Sequence, residues 1–163
     1  MITSKTNKLI KLIKSLEKKK YRDKNNMYIL EGRKFVLDAI NGGGNIKYII
    51  ATPDYVKDYK DAIEVSEEVF DYISTTKTPQ GVLAVLEIEY KTLDDIKESA
   101  NILYLDNLQD SENVGGLIRS SVCADFDGVI ITKTTASPFS AKAVRASAGS
   151  ILNTKIIKDE DYV

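Results

Sequence analysis

The 163-residue sequence contains no histidine and a single cysteine, Cys123. Without histidine there is no imidazole to act as a general base or a zinc ligand, and one cysteine cannot build a metal-binding cysteine cluster. The sequence therefore predicts no metal site, and any chemistry must use Arg, Lys, Asp, Glu, Ser, Thr, Tyr, Asn or Cys123. It also lacks the long apolar run of a membrane span or signal peptide, so we expect a cytoplasmic protein that does not enter a membrane.

Positive charge is scarce over most of the chain and concentrated at its start. The first 24 residues carry nine Lys or Arg side chains against only Glu17 and Asp23, which gives this segment a net charge of +7. The remaining 139 residues sum to −8, and the whole chain has a net charge of −1. This balance argues against a protein coated in nucleic acid, although a local basic segment can still bind phosphates.

The order of apolar runs and turn residues predicts an α/β protein in two parts. Residues 1–89 form the first part, residues 90–100 a linker that is helical around Leu93 to Lys97, and residues 101–163 the second part. The repeating order of strands and helices in the first part predicts a compact three-layer unit. Its predicted helices cover Thr6–Lys18, Gly32–Ile40, Pro53–Lys60 and Glu67–Ile73, and its predicted strands cover Met27–Leu30, Ile46–Ala51, Ile63–Val65 and Gly81–Ile88.

In the second part, apolar runs at Ile102–Leu105 and Val129–Ile131 predict two parallel strands, joined by a helix with Asn113 as its N-cap. The loop after the first strand lies where open parallel sheets bind ligands. Gly115 and Gly116 leave two interpretations open there: close approach of a phosphate or ribose, or tight packing of the helix. Further on, the pattern predicts an amphipathic helix over Ala141–Ile151 and a short strand over Lys155–Ile157.

Two segments of this second part resemble a known enzyme family. The segment Asp110–Ser120, with the pattern D-x-x-N-x-G-x-x-x-R-S, resembles the first motif of the SpoU/TrmH RNA ribose methyltransferases of the SPOUT superfamily. The segment Ser137–Thr154, SPFSAKAVRASAGSILNT, resembles the family's second motif. In the first part, Lys19–Ile40 and Thr76–Val85 resemble the substrate-binding domain that often precedes it. The resemblance implies a small N-terminal RNA-binding α/β domain over 1–89, followed by part of a parallel-sheet methyltransferase domain over 101–163.

The resemblance implies transfer of a methyl group from S-adenosylmethionine to a ribose 2′-hydroxyl of ribosomal or transfer RNA, by a protein that is a homodimer when intact. The family's third motif, G-x-E-x-x-G followed by a proline-containing loop, closes a C-terminal knot and binds the cofactor. Nothing after Ser150 matches that motif. We therefore expect a catalytic domain that is truncated at its C-terminus, lacks the knot region and most of the cofactor pocket, and is inactive alone. A non-catalytic RNA-binding module is the alternative.

By the same resemblance, Asn113 and Arg119 are the catalytic residues. A guanidinium group stays protonated at neutral pH, so we interpret the role of Arg119 as electrostatic: it holds a phosphate and makes the ribose hydroxyl easier to deprotonate. Asn113 would orient the ribose or Arg119. In the second motif, Lys142, Arg145 and Ser147 would support the site, although without the resemblance Arg145 reads as a surface residue.

The basic segment gives a second set of candidates, for RNA binding. We predict a ridge in which four cations bind phosphates and one aromatic ring stacks on a base, formed by Lys18, Lys19, Lys20, Tyr21 and Arg22. The alternative is a helix with a solvated lysine face. The segment Glu31–Lys34 resembles a characteristic corner of the RNA-binding domain, which adds Arg33 and Lys34 to the RNA-binding residues.

Overall fold

The computed structural model describes residues 1–96 and 100–159, and the chain divides into two compact units, residues 1–88 and residues 89–163. Both units combine helices with a β-sheet, so the α/β class predicted from the sequence is confirmed. Over the two described ranges, no helix has the length and apolar content needed to cross a membrane.

The first unit is built on a four-stranded mixed sheet. Its helices are α1 (Lys8–Ser15), α2 (Lys19–Asn25), α3 (Arg33–Asn41) and α4 (Glu67–Ile73), and its strands are β1 (Met27–Glu31), β2 (Ile46–Ala51), β3 (Ile63–Glu64) and β4 (Val82–Glu87). The strand order is β1-β4-β2-β3, in which β4 pairs antiparallel with β1 and β2, while β2 and β3 are parallel. All of β4 except its last residue is buried, because it is a central strand covered on both faces.

Alternate residues of β4 point to opposite faces of the sheet, and each face has its own helical cover. On one face, Leu83 and Val85 pack in a cluster with residues of α1 and α4, including Ile10, Ile13 and Phe70. On the other face, α3 lies against β1 and β4 and buries Val36 and Ala39. This arrangement confirms the predicted three-layer unit.

Two predictions of helix in the first unit are wrong. The chain from Pro53 to Lys60 forms only a single 3₁₀ turn, Val56–Asp58, because Tyr59 returns to an extended conformation and Asp61 has a φ of +60°. The predicted helix Thr6–Lys18 is shorter, and a separate helix α2 follows it. The two helices are separated because Lys18 is extended, with ψ 132°.

The second unit contains a three-stranded sheet in which every strand is parallel. Its elements are β5 (Ile102–Leu105), α5 (Ser111–Cys123), β6 (Gly128–Thr132), α6 (Ala141–Ala146) and β7 (Ile156–Asp159). The strand order β5-β6-β7 makes both crossovers run in the same direction, so right-handed connections place α5 and α6 on the same face of the sheet. The contact between the two helices agrees with this placement. The predicted strands at 102–105 and 129–131 are confirmed, and the third strand begins one residue later and ends two residues later than predicted.

The amphipathic helix predicted over Ala141–Ile151 is wrong in length. Helix α6 ends at Ala146, because Ala148 and Gly149 both adopt positive φ values, +49° and +89°. A separate 3₁₀ turn covers Ser150–Leu152. In the segment predicted as a linker helix, the described residues form only a 3₁₀ turn at Leu93–Asp95, and the predicted helical end at Lys97 lies outside the described residues.

Candidate functional site

The loop that leads into α5 is tied to the loop that follows β6. The Thr135 hydroxyl donates to the Leu105 carbonyl at 2.9 Å, and the Ala136 amide donates to the Leu108 carbonyl at 2.7 Å. The Gln109 side-chain amide donates to the Thr134 carbonyl at 2.8 Å. These bonds join the carboxyl ends of two adjacent parallel strands, where ligands bind in open α/β sheets. The loop is therefore held in place by two side-chain hydrogen bonds and one backbone hydrogen bond.

Helix α5 begins three residues earlier than predicted. Its N-cap is Asp110, whose carboxylate accepts the Glu112 amide at 2.8 Å, while the Asp110 carbonyl accepts the Val114 amide at 3.1 Å. The prediction of Asn113 as N-cap is wrong, because the carboxylate of Asp110 already caps the helix and Asn113 lies within its first turn. The Asn113 side chain is exposed, so its amide is not used up by the helix terminus.

The two glycines of α5 have different surroundings. At Gly115 a Cβ would lie 2.2 Å from the Ala143 carbonyl oxygen and 2.8 Å from the Ala146 Cβ, so this position must be glycine for α5 and α6 to approach. At Gly116 a Cβ would meet nothing within 4 Å. Of the two interpretations left open, close packing therefore applies to Gly115. At this residue α5 packs closely against α6 rather than against the sheet. Gly116 leaves open space on the exposed side of the helix.

Asn113, Gly116 and Arg119 form a row along the exposed side of α5. They are spaced three residues apart, so each lies about one turn beyond the previous one, and the row is about 9 Å long. Asn113 and Arg119 are both exposed, and within the described part of the chain the Arg119 guanidinium makes no hydrogen bond or ion pair. This row combines an amide, a gap without a side chain and an unused cation. Glu112, in the first turn, adds a nearby negative charge.

The second-motif candidates do not share one environment. Lys142 and Arg145 are exposed on α6, which Ser140 caps by accepting the Ala143 amide at 3.2 Å. Ser147 is fully buried, and its hydroxyl donates to the Val144 carbonyl at 2.7 Å. The Ser147 hydroxyl is therefore already used inside the end of α6, and the supporting role of Ser147 in the second motif stays a prediction.

The basic ridge predicted in the first unit divides in the same way. Lys18, Lys19, Lys20 and Tyr21 are exposed at the start of α2, as phosphate binding would require. Arg22 is only 4% exposed. Its Nη1 donates to the Leu16 carbonyl at 2.9 Å and to the Glu17 carbonyl at 2.8 Å, so it joins α2 to the end of α1. The prediction of Arg22 as an RNA-binding residue is wrong, because a buried guanidinium cannot reach a phosphate.

The remaining candidates, Arg33 and Lys34, lie exposed at the first turn of α3. The Arg33 guanidinium carbon lies 4.6 Å from the centroid of the Tyr55 ring, and the Arg33 amide donates to the Gln80 side-chain oxygen at 3.1 Å. Tyr55 and Gln80 were not among the sequence candidates. The two residues are distant from Arg33 along the chain, and only the Gly81 that follows Gln80 marks a special backbone position there, with φ +73°.

The resemblance implies S-adenosylmethionine, so the second unit must be tested for a pocket that fits it. A cleft of about 370 Å³ in this unit is lined by residues of the 91–94 segment together with Ile130, Ile157, Lys158 and Asp159. Ile130 points away from the face that α5 and α6 cover, because its neighbours Val129 and Ile131 are the buried ones. Asn113 and Arg119 do not line this cleft. It therefore does not fit a cofactor that must meet a substrate at Arg119.

Each unit matches a known protein family. Residues 7–84 match the MRM3-like substrate binding domain, and residues 100–163 match the SpoU rRNA Methylase family. Together these two matches cover most of both units.

Individual relatives match along nearly the whole chain. The 23S rRNA (guanosine(2553)-2′-O)-methyltransferase RlmP of Bacillus subtilis is 30% identical over 96% of the chain, and the mitochondrial rRNA methyltransferase 3 of Xenopus tropicalis is 25% identical over 95% of it. The crystal structure of an AdoMet-bound rRNA methyltransferase from Sinorhizobium meliloti superposes on 96% of the chain with a TM-score of 0.85 and 33% identity. The chain spans less than two thirds of each of these proteins, namely 64%, 41% and 63%.

Proposed function

The chain belongs to the SpoU family of RNA methyltransferases, and from this premise we propose that the protein containing it methylates a ribose 2′-hydroxyl of ribosomal or transfer RNA with S-adenosylmethionine as donor. The observation that carries the proposal is the row of Asn113, Gly116 and Arg119 on the exposed side of α5, beside a loop held by hydrogen bonds. The B. subtilis relative is by name a 2′-O-methyltransferase, and the S. meliloti structure is by title bound to AdoMet, which supports both the reaction and the donor.

In this proposal, the row on α5 binds the target nucleotide of the RNA. The Arg119 guanidinium binds a phosphate next to the target ribose and stabilises the negative charge that develops as the hydroxyl loses its proton. Arg119 stays protonated throughout, so it acts by charge and position. The Asn113 amide hydrogen-bonds the ribose, and the missing side chain at Gly116 lets the sugar come close to the helix between them. Holding the hydroxyl in place supplies much of the rate enhancement.

The first unit would bind the surrounding RNA. Its exposed Lys18, Lys19 and Lys20 at the start of α2, and Arg33 and Lys34 at the start of α3, offer positive charge for phosphates. The match to an MRM3-like substrate binding domain supports this role. A cytoplasmic location and a homodimer remain predictions of the same proposal.

The alternative function is a non-catalytic RNA-binding module. Both functions predict RNA binding by the 163-residue chain, so binding alone does not separate them. The deciding measurement is tritium transfer from labelled S-adenosylmethionine to total RNA, made with the chain and with the longest product of its reading frame. We expect no transfer by the chain alone, transfer by a longer product, and loss of that transfer in Arg119→Ala.

The control for this experiment is Lys57→Ala, which removes one exposed cation from the first unit at a position outside the candidate sites. Equal transfer by Arg119→Ala and the wild type would remove Arg119 from the proposed mechanism. A longest product that binds RNA without transferring tritium would favour the binding module, and transfer by the 163-residue chain itself would contradict its expected inactivity.

A further inference from the structure

A shallow, open cleft of about 750 Å³ lies beside the start of α3 in the first unit. Seven residues line it: Arg33, Lys34, Leu37, Asp38, Asn41, Tyr55 and Gln80. The lining holds two cations and one carboxylate, so the cleft is positively charged. Leu37 is 45% exposed there, which leaves apolar surface open to a ligand.

The guanidinium of Arg33 lies over the ring of Tyr55 in this cleft. Its guanidinium carbon lies 4.6 Å from the centroid of the Tyr55 ring, a cation–π distance. The ring is held in turn by Gly81, where a Cβ would lie 2.4 and 2.6 Å from ring atoms Cδ2 and Cε2. The positive φ of Gly81 and this close approach both require glycine. The position of the Tyr55 ring under Arg33 therefore depends on Gly81.

The loop that leads to Gln80 is anchored at its start by Glu31. Its carboxylate accepts the Ser74 hydroxyl at 2.6 Å, the Thr75 amide at 2.6 Å and the Thr76 hydroxyl at 2.9 Å. At the other end of the same loop, the Gln80 side chain accepts the Arg33 amide at 3.1 Å. The loop 74–80 is therefore anchored at both ends, and this holds Gln80, the residue of this loop that lines the cleft, in place.

The cations that line this cleft are available to a ligand. In the parts of the chain that the structure describes, neither the Arg33 guanidinium nor the Lys34 ammonium has a carboxylate or carbonyl partner. A guanidinium plane that is stacked on one side can stack a nucleobase on the other. Lys34 can then bind a phosphate, while the amides of Asn41 and Gln80 can hydrogen-bond the edge of a base.

We propose that this cleft binds one unpaired nucleotide of the RNA, with its base stacked on the Arg33 guanidinium and its phosphate near Lys34. The inference rests on the proposed function, which makes RNA the substrate, and it adds the part of the RNA that the first unit recognises. The planar stack favours a nucleotide over an acidic peptide, because a peptide carboxylate needs positive charge but no aromatic plane.

The first test is an NMR titration of the 163-residue chain with the four nucleoside 5′-monophosphates, observing the side-chain N–H signals of Arg33 and Gln80. Ribose 5-phosphate, which has the phosphate and no base, is the matched ligand control. We expect base-dependent upfield shifts of the Arg33 Nε–H signal with nucleotides, and none of that size with ribose 5-phosphate. Equal shifts with ribose 5-phosphate, or none with any nucleotide, would overturn the proposal.

The second test uses two labelled RNA hairpins, identical except that one carries a single bulged nucleotide. Arg33→Lys keeps the charge and removes the plane, Tyr55→Leu removes the support of the stack, and Lys60→Ala is the control at an exposed lysine that does not line the cleft. We expect wild type and Lys60→Ala to prefer the bulged hairpin, and both cleft variants to lose that preference roughly tenfold.

The outcomes of the second test distinguish failure of the nucleotide site from failure of the proposed RNA-binding function. If the chain binds both hairpins in a salt-dependent way and the cleft variants bind as the wild type does, the nucleotide site is wrong while RNA binding stands. If the wild type binds neither hairpin nor total RNA, the proposed function fails, and the nucleotide site fails with it.

Discussion

The Nη1 atom of Arg22 donates to the carbonyl oxygen of Leu16 at 2.9 Å, and the same atom donates to the Glu17 carbonyl at 2.8 Å. Arg22→Ala would leave both carbonyls at the end of α1 without this partner. We expect it to lower the free energy of unfolding by roughly 2–4 kcal/mol, because hydrogen bonds to a charged group are lost in a buried place. Thermal unfolding followed by circular dichroism measures the loss, with the exposed Lys24→Ala on the same helix as control. Equal melting temperatures for the two variants would contradict the structural role of Arg22.

The lysines beside Arg22 should behave in the opposite way. Lys19 and Lys20 are exposed, so changing both to alanine should leave stability nearly unchanged and weaken RNA binding. The slope of log affinity against log salt is negative. If each lysine binds a phosphate of single-stranded RNA, this slope should become less negative by about 0.7 for each phosphate that is no longer bound. A filter-binding titration at several salt concentrations measures both quantities.

A matched control for this pair is the change of both Lys57 and Lys60 to alanine, since these are two exposed lysines of the same unit. It removes the same charge from a different place. An equal loss of affinity in both double variants would mean that RNA responds to net charge alone, and that α2 has no special part in binding.

Adjacent glycines of α5 provide a paired prediction. Gly115→Ala places a methyl group 2.2 Å from the Ala143 carbonyl oxygen, so it should separate α5 from α6 and destabilise the second unit by about 1–3 kcal/mol. Gly116→Ala adds a methyl group in open space and should stabilise the helix by up to about 1 kcal/mol. Urea denaturation distinguishes the two. Destabilisation by Gly116→Ala would show that the space beside it is filled in solution.

If a ribose approaches α5 at Gly116, stability and activity should change in opposite directions there. Gly116→Ala would then be more stable than the wild type and still methylate RNA more slowly, because the added methyl group lies between Asn113 and Arg119. Both quantities are measured on the longest product of the reading frame, because we expect the 163-residue chain alone to be inactive. A variant that is both more stable and fully active would remove Gly116 from the RNA-binding surface.

Glu87 gives a prediction about acid stability. Its hydrogen bond with Lys47, and after that the charge of Lys47, hold the pKa of this carboxyl below its ordinary value of 4.5. A carboxyl with a lowered pKa in the folded state stabilises the fold above 4.5 and loses that contribution as pH falls through the folded pKa. Glu87→Gln should therefore have a lower melting temperature than the wild type at pH 7, and the difference should shrink as the pH falls below 4.5 through the folded-state pKa. A difference that does not change with pH would contradict the assignment.

The sequence predicts those features of this protein that depend on residues close together in the chain. The runs at Ile102–Leu105 and Ile46–Ala51 are apolar over the length of a strand, and both form strands at those bounds. Ser66 is a strong N-cap before a helix pattern, and α4 begins directly after it. The motif around Arg119 likewise lies in one continuous segment, so its resemblance to a family is visible without a structure.

Features that depend on distant residues were missed or wrong. Lys18 to Arg22 read as one basic run, and nothing in the run indicates that Arg22 turns inward to the carbonyls of α1. The stack of Arg33 on Tyr55 depends on Gly81, far along the chain from both residues. The left-handed conformation of Ala148 is equally invisible, because alanine favours helix and rarely adopts positive φ.

The hydrogen bonds between the loops that follow β5 and β6 also constrain the order of folding. The Thr135 hydroxyl reaches the Leu105 carbonyl across 30 residues of chain, and Gln109 reaches Thr134 across 25. These bonds cannot form until β6 has paired with β5, because the intervening chain must first be brought back to the sheet. The loop that carries Asp110 therefore takes its final shape after the sheet assembles. The amides of Leu108, in this loop, and of Ala136, in the loop after β6, should gain protection from hydrogen exchange later in refolding than the amides of α5.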